Sequence, residues 1–170
     1  GEEGDTVEIR FSFFFKSGFA SIYPRSGDGD SAQITFFPEG EIRIYGGGDV
    51  GWNILDQTYN ENKWNRVLIQ YVNGSGEYSI SVNGAEFETY EGVSSQDNGS
   101  GGYVDGFRLQ GDGDGTVFYL DAMEVINTTK NWIIFSDDFE SGIVGETPGM
   151  DNPDMGTWDW NGLSIAEIAG

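Results

Sequence analysis

The 170-residue sequence contains no cysteine and no histidine. The absence of cysteine excludes disulfides, thiol nucleophiles and thiolate metal sites, and the absence of histidine excludes Ser-His-Asp and Cys-His catalysis and imidazole metal sites. No apolar run approaches the roughly 20 residues that a membrane-spanning helix needs, so we expect no membrane insertion. Carboxylates, carbonyls, hydroxyls and aromatic rings remain as functional groups, and no transition-metal chemistry is expected.

Cations are also scarce, with 8 Lys and Arg against 29 Asp and Glu and a net charge of −21. This charge argues against a nucleic-acid partner, because phosphate backbones are bound by Lys and Arg. Hydrophobic residues at 37% and aromatic residues at 15% indicate a folded domain rather than a disordered chain. An acidic surface of this kind predicts a secreted protein, extracellular or at a cell surface, where salt or calcium screens the charge. Simple solubility is the alternative explanation.

The hydrophobic pattern indicates strands along most of the chain. Val7 to Phe15 alternates and then becomes continuously apolar, while Glu41 to Tyr45 and Glu77 to Val82 alternate cleanly. Turn signals separate the strands, among them Lys16-Ser17-Gly18 and the Gly-Asp repeat of Gly111 to Gly115. Many short strands with frequent turns predict one all-β domain over residues 1–170, either a sandwich or a barrel.

Three stretches carry a family resemblance: KWNRVLIQ at Lys63 to Gln70, GEYSISVNG at Gly76 to Gly84, and FYLDAMEV at Phe118 to Val125. Together they resemble the concanavalin A-like, laminin-G-like jelly-roll superfamily. The resemblance implies an antiparallel two-sheet jelly-roll sandwich with its main body over residues 5–126. These motifs are informative about the fold and nearly silent about function.

A fourth stretch, FSDDFESG at Phe135 to Gly142 followed by GETP at Gly145 to Pro148, resembles the opening strand of bacterial secreted jelly-roll modules. Here it lies at the C-terminal end, so residues 127–131 form a linker and residues 132–170 a displaced opening strand and C-terminal segment. One explanation is circular permutation, in which the linker joins neighbouring strands. The other is strand donation to the next copy, for a chain that looks cut from a repeating protein.

The resemblance also implies a calcium site, because a structural calcium ion in such modules often lies where the first and last strands meet. Its candidate ligands here are Asp121, Asp137, Asp138 and Glu140. Asp28 and Asp30 form a second candidate, since calcium prefers carboxylate and carbonyl oxygens and the Asp-Gly-Asp spacing can wrap an ion. The alternatives are an acidic edge that blocks strand pairing and an ordinary Asp-Gly turn.

Aromatic residues near predicted loops are candidates for carbohydrate or subunit contact, because exposed rings stack on sugar faces while polar neighbours bind hydroxyls. These residues are Trp52, Tyr59, Tyr103, Trp158 and Trp160. Core packing is the alternative for each, and Trp64 is expected in the core. Three Asn-x-Ser/Thr sequons, at Asn73, Asn98 and Asn127, fall in predicted loops, where glycosylation competes with chance occurrence.

Catalysis is not expected. The laminarinase-type enzymes of this fold carry a Glu-x-Asp-x-x-Glu strand, and none of the strands predicted here contains that motif. Asp121 and Glu124, three apart, should point to opposite faces of a strand. The sequence therefore predicts a non-enzymatic extracellular structural module that assembles head-to-tail with copies of itself into a filament, sheath or matrix. The alternative is a lectin-like carbohydrate-binding module of a secreted polysaccharide-acting protein, with polysaccharide as the partner.

Overall fold

The computed structural model describes residues 2–26, 29–30, 32–45, 51–91, 104 and 106–137. These residues are organised in strands, which confirms the expected all-β class, and the helical element among them is the 3₁₀ turn Pro38–Gly40. The strands are β1 (Thr6–Ser26), β2 (Gly29–Asp30), β3 (Gln33–Phe36), β4 (Ile42–Tyr45), β5 (Trp52–Ile54), β6 (Trp64–Val72), β7 (Glu77–Val82), β8 (Glu88–Glu91), β9 (Gly106–Asn127) and β10 (Trp132–Asp137). In the described part of the chain, no helix has the length and apolar character of a membrane span.

Strands β1 and β9 are longer than the sequence pattern predicts. The chain does not reverse direction at Lys16-Ser17-Gly18 or at Gly111 to Gly115, where turns were expected. The two segments instead face each other within the antiparallel pair of β1 and β9. The pairing shifts register between Phe15 and Ser17 and again between Ser17 and Phe19. Such irregularities bend and twist a strand pair, so the sequence features that looked like turns mark a bend instead.

This bend divides one antiparallel sheet into two layers. The first half of β1 lies between β6 and the second half of β9, and β7 and β8 extend the layer beyond β6. The second half of β1 lies between β3 and the first half of β9, and β4 and β5 extend that layer. The jelly-roll sandwich is therefore built from a single curled sheet with two shared strands.

The core lies between the two layers and follows the alternation of the strands. Val7, Ile9, Phe11, Phe13 and Phe15 all point inward from the first half of β1 and are buried. The rings of Phe11 and Phe13 contact Phe36 of β3 in the opposite layer, and the ring centroids of Phe13 and Phe36 are 4.5 Å apart. Burial of large side chains from both layers is the main source of the stability of such a sandwich.

The linker expected at residues 127–131 is the tight hairpin between β9 and β10. β10 pairs antiparallel with β9 of the same chain, with Trp132 opposite Asn127 and Asp137 opposite Met123. A polar network joins the hairpin to the start of β1, since Asp5 Oδ2 accepts hydrogen bonds from Asn127 Nδ2 at 2.9 Å and Lys130 Nζ at 3.2 Å. The displaced strand thus lies beside the closing strand of its own chain as far as Asp137, and residues 138–170 lie outside the described residues.

Candidate functional site

The candidate site lies on the outward face of the layer formed by β1, β3, β4 and β5. On β4, Ile42 and Ile44 are buried in the core, so Arg43 and Tyr45 point outward by strand alternation. The register places Tyr45 opposite Trp52 of β5 and Arg43 opposite Thr35 of β3. We call this outward surface the β4 face. Its residues are Ser21, Gln33, Thr35, Phe37, Arg43, Tyr45 and Trp52.

Aromatic rings dominate one side of the β4 face. Trp52 is 42% exposed, and its ring centroid lies 5.2 Å from Tyr45 and 6.2 Å from Phe37. Phe37 in turn contacts Phe19, whose ring centroid is 5.4 Å away. The neighbouring rings limit the motion of the indole, which leaves a large, oriented apolar surface accessible to a ligand.

A row of polar side chains runs between the rings. Ser21 Oγ and Thr35 Oγ1 are hydrogen-bonded at 2.8 Å across β1 and β3, and Gln33 Nε2 donates to Thr35 Oγ1 at 3.4 Å. Although Ser21 and Thr35 point outward, both are almost fully buried, so the flanking side chains cover them. The bonded hydroxyls therefore join β1 to β3 beneath the surface and are not accessible to a ligand.

Two arginines of the same layer have their guanidinium groups over aromatic rings. The Arg43 guanidinium carbon is 4.3 Å from the centre of the Phe37 ring, and Nε of Arg43 donates to Glu41. The Arg108 guanidinium carbon is 4.0 Å from the centre of the Tyr23 ring. Because the Phe37 ring and the Glu41 ion pair both hold the Arg43 guanidinium, its remaining donors have a restricted range of directions. The exposed rings and the Arg43 donors together can bind the apolar face and the hydroxyl groups of a sugar.

The structure separates the predicted aromatic contacts. Trp52 is exposed on the β4 face, but Tyr59 is only 4% exposed and packs in the core against Phe13, Phe15 and Phe36. The expectation of a surface role for Tyr59 is therefore wrong, because its hydroxyl donates to the Phe37 carbonyl and its ring fills the space between the layers. Burial, reinforced by the charge of Glu61, raises the pKa of Tyr59 and keeps the phenol neutral. Tyr103, Trp158 and Trp160 lie outside the described residues.

The predicted calcium ligands lie mostly beyond the described part of the chain. Asp28, Asp138 and Glu140 are outside it, and Asp30 and Asp137 are described only as backbone positions in β2 and β10. Asp121 lies on β9 opposite Ser12, whereas Asp137 is opposite Met123, which is buried in the core. Among the described residues, no group of three or more acidic side chains is positioned to hold a metal ion. Calcium binding stays a prediction.

Two expectations from the sequence are wrong at the opposite surface of the molecule. Asp121 and Glu124 do not point to opposite faces of β9, because they pair with Ser12 and Arg10, which are two residues apart on β1. A bulge at Ala122 and Met123 shifts the alternation by one residue. Trp64 is 45% exposed rather than in the core, since it lies on the outward face of β6.

Two of the three sequons are inaccessible in the folded chain. Asn73 and Asn127 are each only 1% exposed, and the side-chain oxygen of Asn73 accepts a hydrogen bond from the Val104 amide at 3.1 Å. Both asparagines therefore have structural roles, which supports chance occurrence of these two motifs. Asn98 lies outside the described residues.

Trp52 was predicted as a contact residue from the sequence, whereas its neighbours on the β4 face were not. Arg43 and Tyr45 were visible as the polar positions of the alternating segment EIRIY, which predicts that they point away from the core. Ser21 and Thr35 have no local signal of this kind. They come together only through the pairing of β1 with β3.

No protein-family model matches this sequence, and no curated protein matches it. Solved structures do match the fold. One is a Bacteroides ovatus protein assigned as carbohydrate binding, with 12% identity and a TM-score of 0.52, covering 83% of this chain and 47% of the other. Another is a variant of human galectin-16, with 14% identity and a TM-score of 0.50, covering 75% of this chain and 90% of the other. The matched structures have concanavalin A-like jelly-roll folds, which confirms the fold expected from the resemblance.

Proposed function

We propose that this chain is a lectin-like carbohydrate-binding module and that the β4 face is its binding surface. The observation that carries the proposal is the exposed indole of Trp52 beside Tyr45, Phe37 and the stacked Arg43. An indole offers a flat apolar surface to the carbon–hydrogen face of a sugar ring, and the neighbouring Arg43 guanidinium and Tyr45 hydroxyl offer hydrogen bonds to its edge.

The fold neighbour from Bacteroides ovatus supports this proposal, because that protein is assigned as carbohydrate binding. The present chain spans about half of its length, so only the module-level property is carried over. The net charge of −21 favours a neutral polysaccharide, since an anionic one would be repelled. A secreted or cell-surface location fits the same ligand class and is part of the proposal.

We infer that the module binds polysaccharide without cleaving it. The Glu-x-Asp-x-x-Glu spacing of the laminarinase-type enzymes occurs once, at Glu3, Asp5 and Glu8, but Glu3 and Asp5 precede β1 and do not lie on a strand. Asp5 is bound by Asn127 and Lys130, and Glu8 is paired with Arg10. In the described part of the chain, Glu41 is the acidic side chain bonded to Arg43 of the β4 face, and this ion pair engages it. Incubation with a soluble β-glucan should release no new reducing ends, and their release would contradict this part of the proposal.

Head-to-tail self-assembly, the first interpretation of the sequence, gains no support from the comparisons. β10 pairs with β9 inside the same chain, which is the arrangement expected from circular permutation. Self-assembly therefore stays a prediction, and carbohydrate binding is the function that the described residues support better.

The test is affinity electrophoresis of the whole chain in gels that contain a neutral soluble polysaccharide, one from each of several classes. Trp52→Ala should weaken retardation by roughly tenfold or more in Kd, because a lost ring contact of about 1.4 kcal/mol corresponds to that factor. Trp52→Phe should retain part of the binding. Trp132→Ala removes another exposed tryptophan, 59% accessible and far from the β4 face, and should change nothing. Equal retardation of the wild-type and Trp52→Ala proteins would overturn the assignment of this face.

A further inference from the structure

A second row of aromatic rings lies on the outward face of the other layer, where β6, β1 and β9 run side by side. The register places Trp64 and Tyr119 on either side of Phe14, one from each neighbouring strand. The ring centroids of Trp64 and Phe14 are 5.9 Å apart, and those of Phe14 and Tyr119 are 6.0 Å apart. We call these three residues the ring row.

The next register position along the same strands holds three polar side chains. Ser12 lies between Arg66 of β6 and Asp121 of β9, so a guanidinium, a hydroxyl and a carboxylate run parallel to the ring row. We call these three residues the polar row. The bulge at Ala122 is what places Asp121 on this surface, because without it Asp121 and Glu124 could not share a face.

The polar row differs from the position that follows it. There, Arg10 lies 3.9 Å from Glu124, and at the position beyond it Glu8 is engaged by Arg10 and by Gln70 Nε2, the latter at 2.6 Å. Within the described ranges, by contrast, the side chains of Arg66, Ser12 and Asp121 form no hydrogen bond or ion pair. The side chains beyond the polar row therefore satisfy each other's hydrogen-bonding groups. The polar row, next to the ring row, leaves its hydrogen-bonding groups for an external partner.

Charge decides which partner fits this surface. The polar row carries one positive and one negative group and is neutral as a unit, on a chain whose net charge is −21. A polyanion would be repelled by the protein as a whole, and a polycation would be attracted equally to many acidic surfaces. An uncharged polyhydroxyl ligand can stack on the ring row and exchange hydrogen bonds with both signs of the polar row.

We infer that the ring row and the polar row form a second binding surface for neutral polysaccharide, on the side of the sandwich opposite the β4 face. The two surfaces are the outward faces of two packed layers, so they point away from each other. One molecule can then bind two polysaccharide chains at once and cross-link them. The inference adds a site to the proposed function but depends on different residues.

The test uses the whole chain with a soluble neutral polysaccharide identified by affinity electrophoresis, and follows cross-linking by light scattering over a range of protein-to-polysaccharide ratios. The wild-type protein should produce a scattering maximum at intermediate ratio, as expected for a bivalent cross-linker. Trp64→Ala should abolish that maximum while retaining electrophoretic retardation through the β4 face. Asp121→Ala should weaken binding to this surface by about tenfold, through loss of the polar row.

Trp132→Ala is the matched control and should scatter as the wild type does. A Trp64→Ala protein that still cross-links as wild type would overturn the second surface. So would a change of its oligomeric state in size-exclusion chromatography, since the ring row would then be a contact between copies. The proposed function fails separately, if Trp52→Ala leaves retardation unchanged in the Trp64→Ala background.

Discussion

Asp121 and Glu124 share one face of β9 although three residues separate them in the sequence, because Ala122 and Met123 together oppose the single residue Phe11. Ala122 adopts a φ of 49°, in the left-handed region that L-residues with a Cβ atom rarely occupy. The bulge places a carboxylate beside the ring row and carries backbone strain at the same point.

Replacing Ala122 with glycine should stabilise the protein. The left-handed conformation costs an L-residue about 1–2 kcal/mol, and part of that gain is lost to the larger unfolded-state entropy of glycine, leaving roughly 0.5–1 kcal/mol. Urea denaturation should show a higher midpoint with an unchanged m value. Ala85→Gly is the control. Because Ala85 has no positive φ, this variant should be less stable than the wild type. A lower midpoint for Ala122→Gly would show that the bulge is unstrained.

Gly18 should tolerate no side chain. It lies at the bend between the layers with a φ of 86°, and a Cβ there would lie 2.2 Å from Thr116 Oγ1 and 2.6 Å from Thr116 Cα. Gly18→Ala should cost about 2–5 kcal/mol, from left-handed strain and overpacking together. Gly84→Ala has a similar φ of 79° with open space around it, so it should cost only about 1–2 kcal/mol. Equal midpoint losses in urea for the two variants would mean that the close approach at the bend has no energetic weight.

Asp5 should contribute to acid denaturation. The amide of Glu2, and next the Asn127 side chain, hold the pKa of Asp5 below its ordinary value. A depressed folded-state pKa gives stability that is present above the unfolded value of about 3.9 and is lost as pH falls through the folded value. Stability of the wild type should therefore fall between about pH 5 and pH 2 more steeply than that of Asp5→Asn.

The measurement for Asp5 is the urea midpoint as a function of pH. Glu86→Gln removes an exposed carboxylate in the loop between β7 and β8, at the other end of β7 from the Asn73 turn that is bonded to Asp5, and should leave the wild-type slope unchanged. Parallel acid limbs for the wild-type and Asp5→Asn proteins would contradict the role of the network that joins Asp5 to the β9–β10 hairpin.

Replacement of Tyr59 by alanine should lower the stability of the protein, whereas replacement of Trp52 should lower its polysaccharide binding. Tyr59→Ala removes a buried ring that contacts Phe13, Phe15 and Phe36, and should cost about 3–5 kcal/mol of stability. Trp52→Ala removes an exposed ring and should change stability by less than about 1 kcal/mol while weakening polysaccharide binding. Chemical denaturation of both variants checks this, and a comparable stability loss for Trp52→Ala would assign Trp52 a structural role instead.

Local sequence patterns predicted the strands that alternate with period two. Glu77–Val82 forms as expected, Ile42–Tyr45 forms within the predicted segment Glu41 to Tyr45, and the inward residues of Val7 to Phe15 are buried as their spacing predicts. These predictions hold because strand alternation and turn chemistry depend on neighbouring residues. The jelly-roll fold followed from the same stretches through family resemblance.

What sequence alone determined is the class of the protein, an acidic all-β domain without thiol or imidazole chemistry. It also indicated that some of the aromatic side chains are candidates for surface contacts. Tertiary structure alone decided which aromatics reach that surface, placing Tyr59 inside and Trp52 and Trp64 outside. It also joined β1 and β9 through segments that look like turns, and set Asp121 and Glu124 on one face. The physical reason is that burial, bending and facing depend on register between strands a hundred residues apart, which no local pattern encodes.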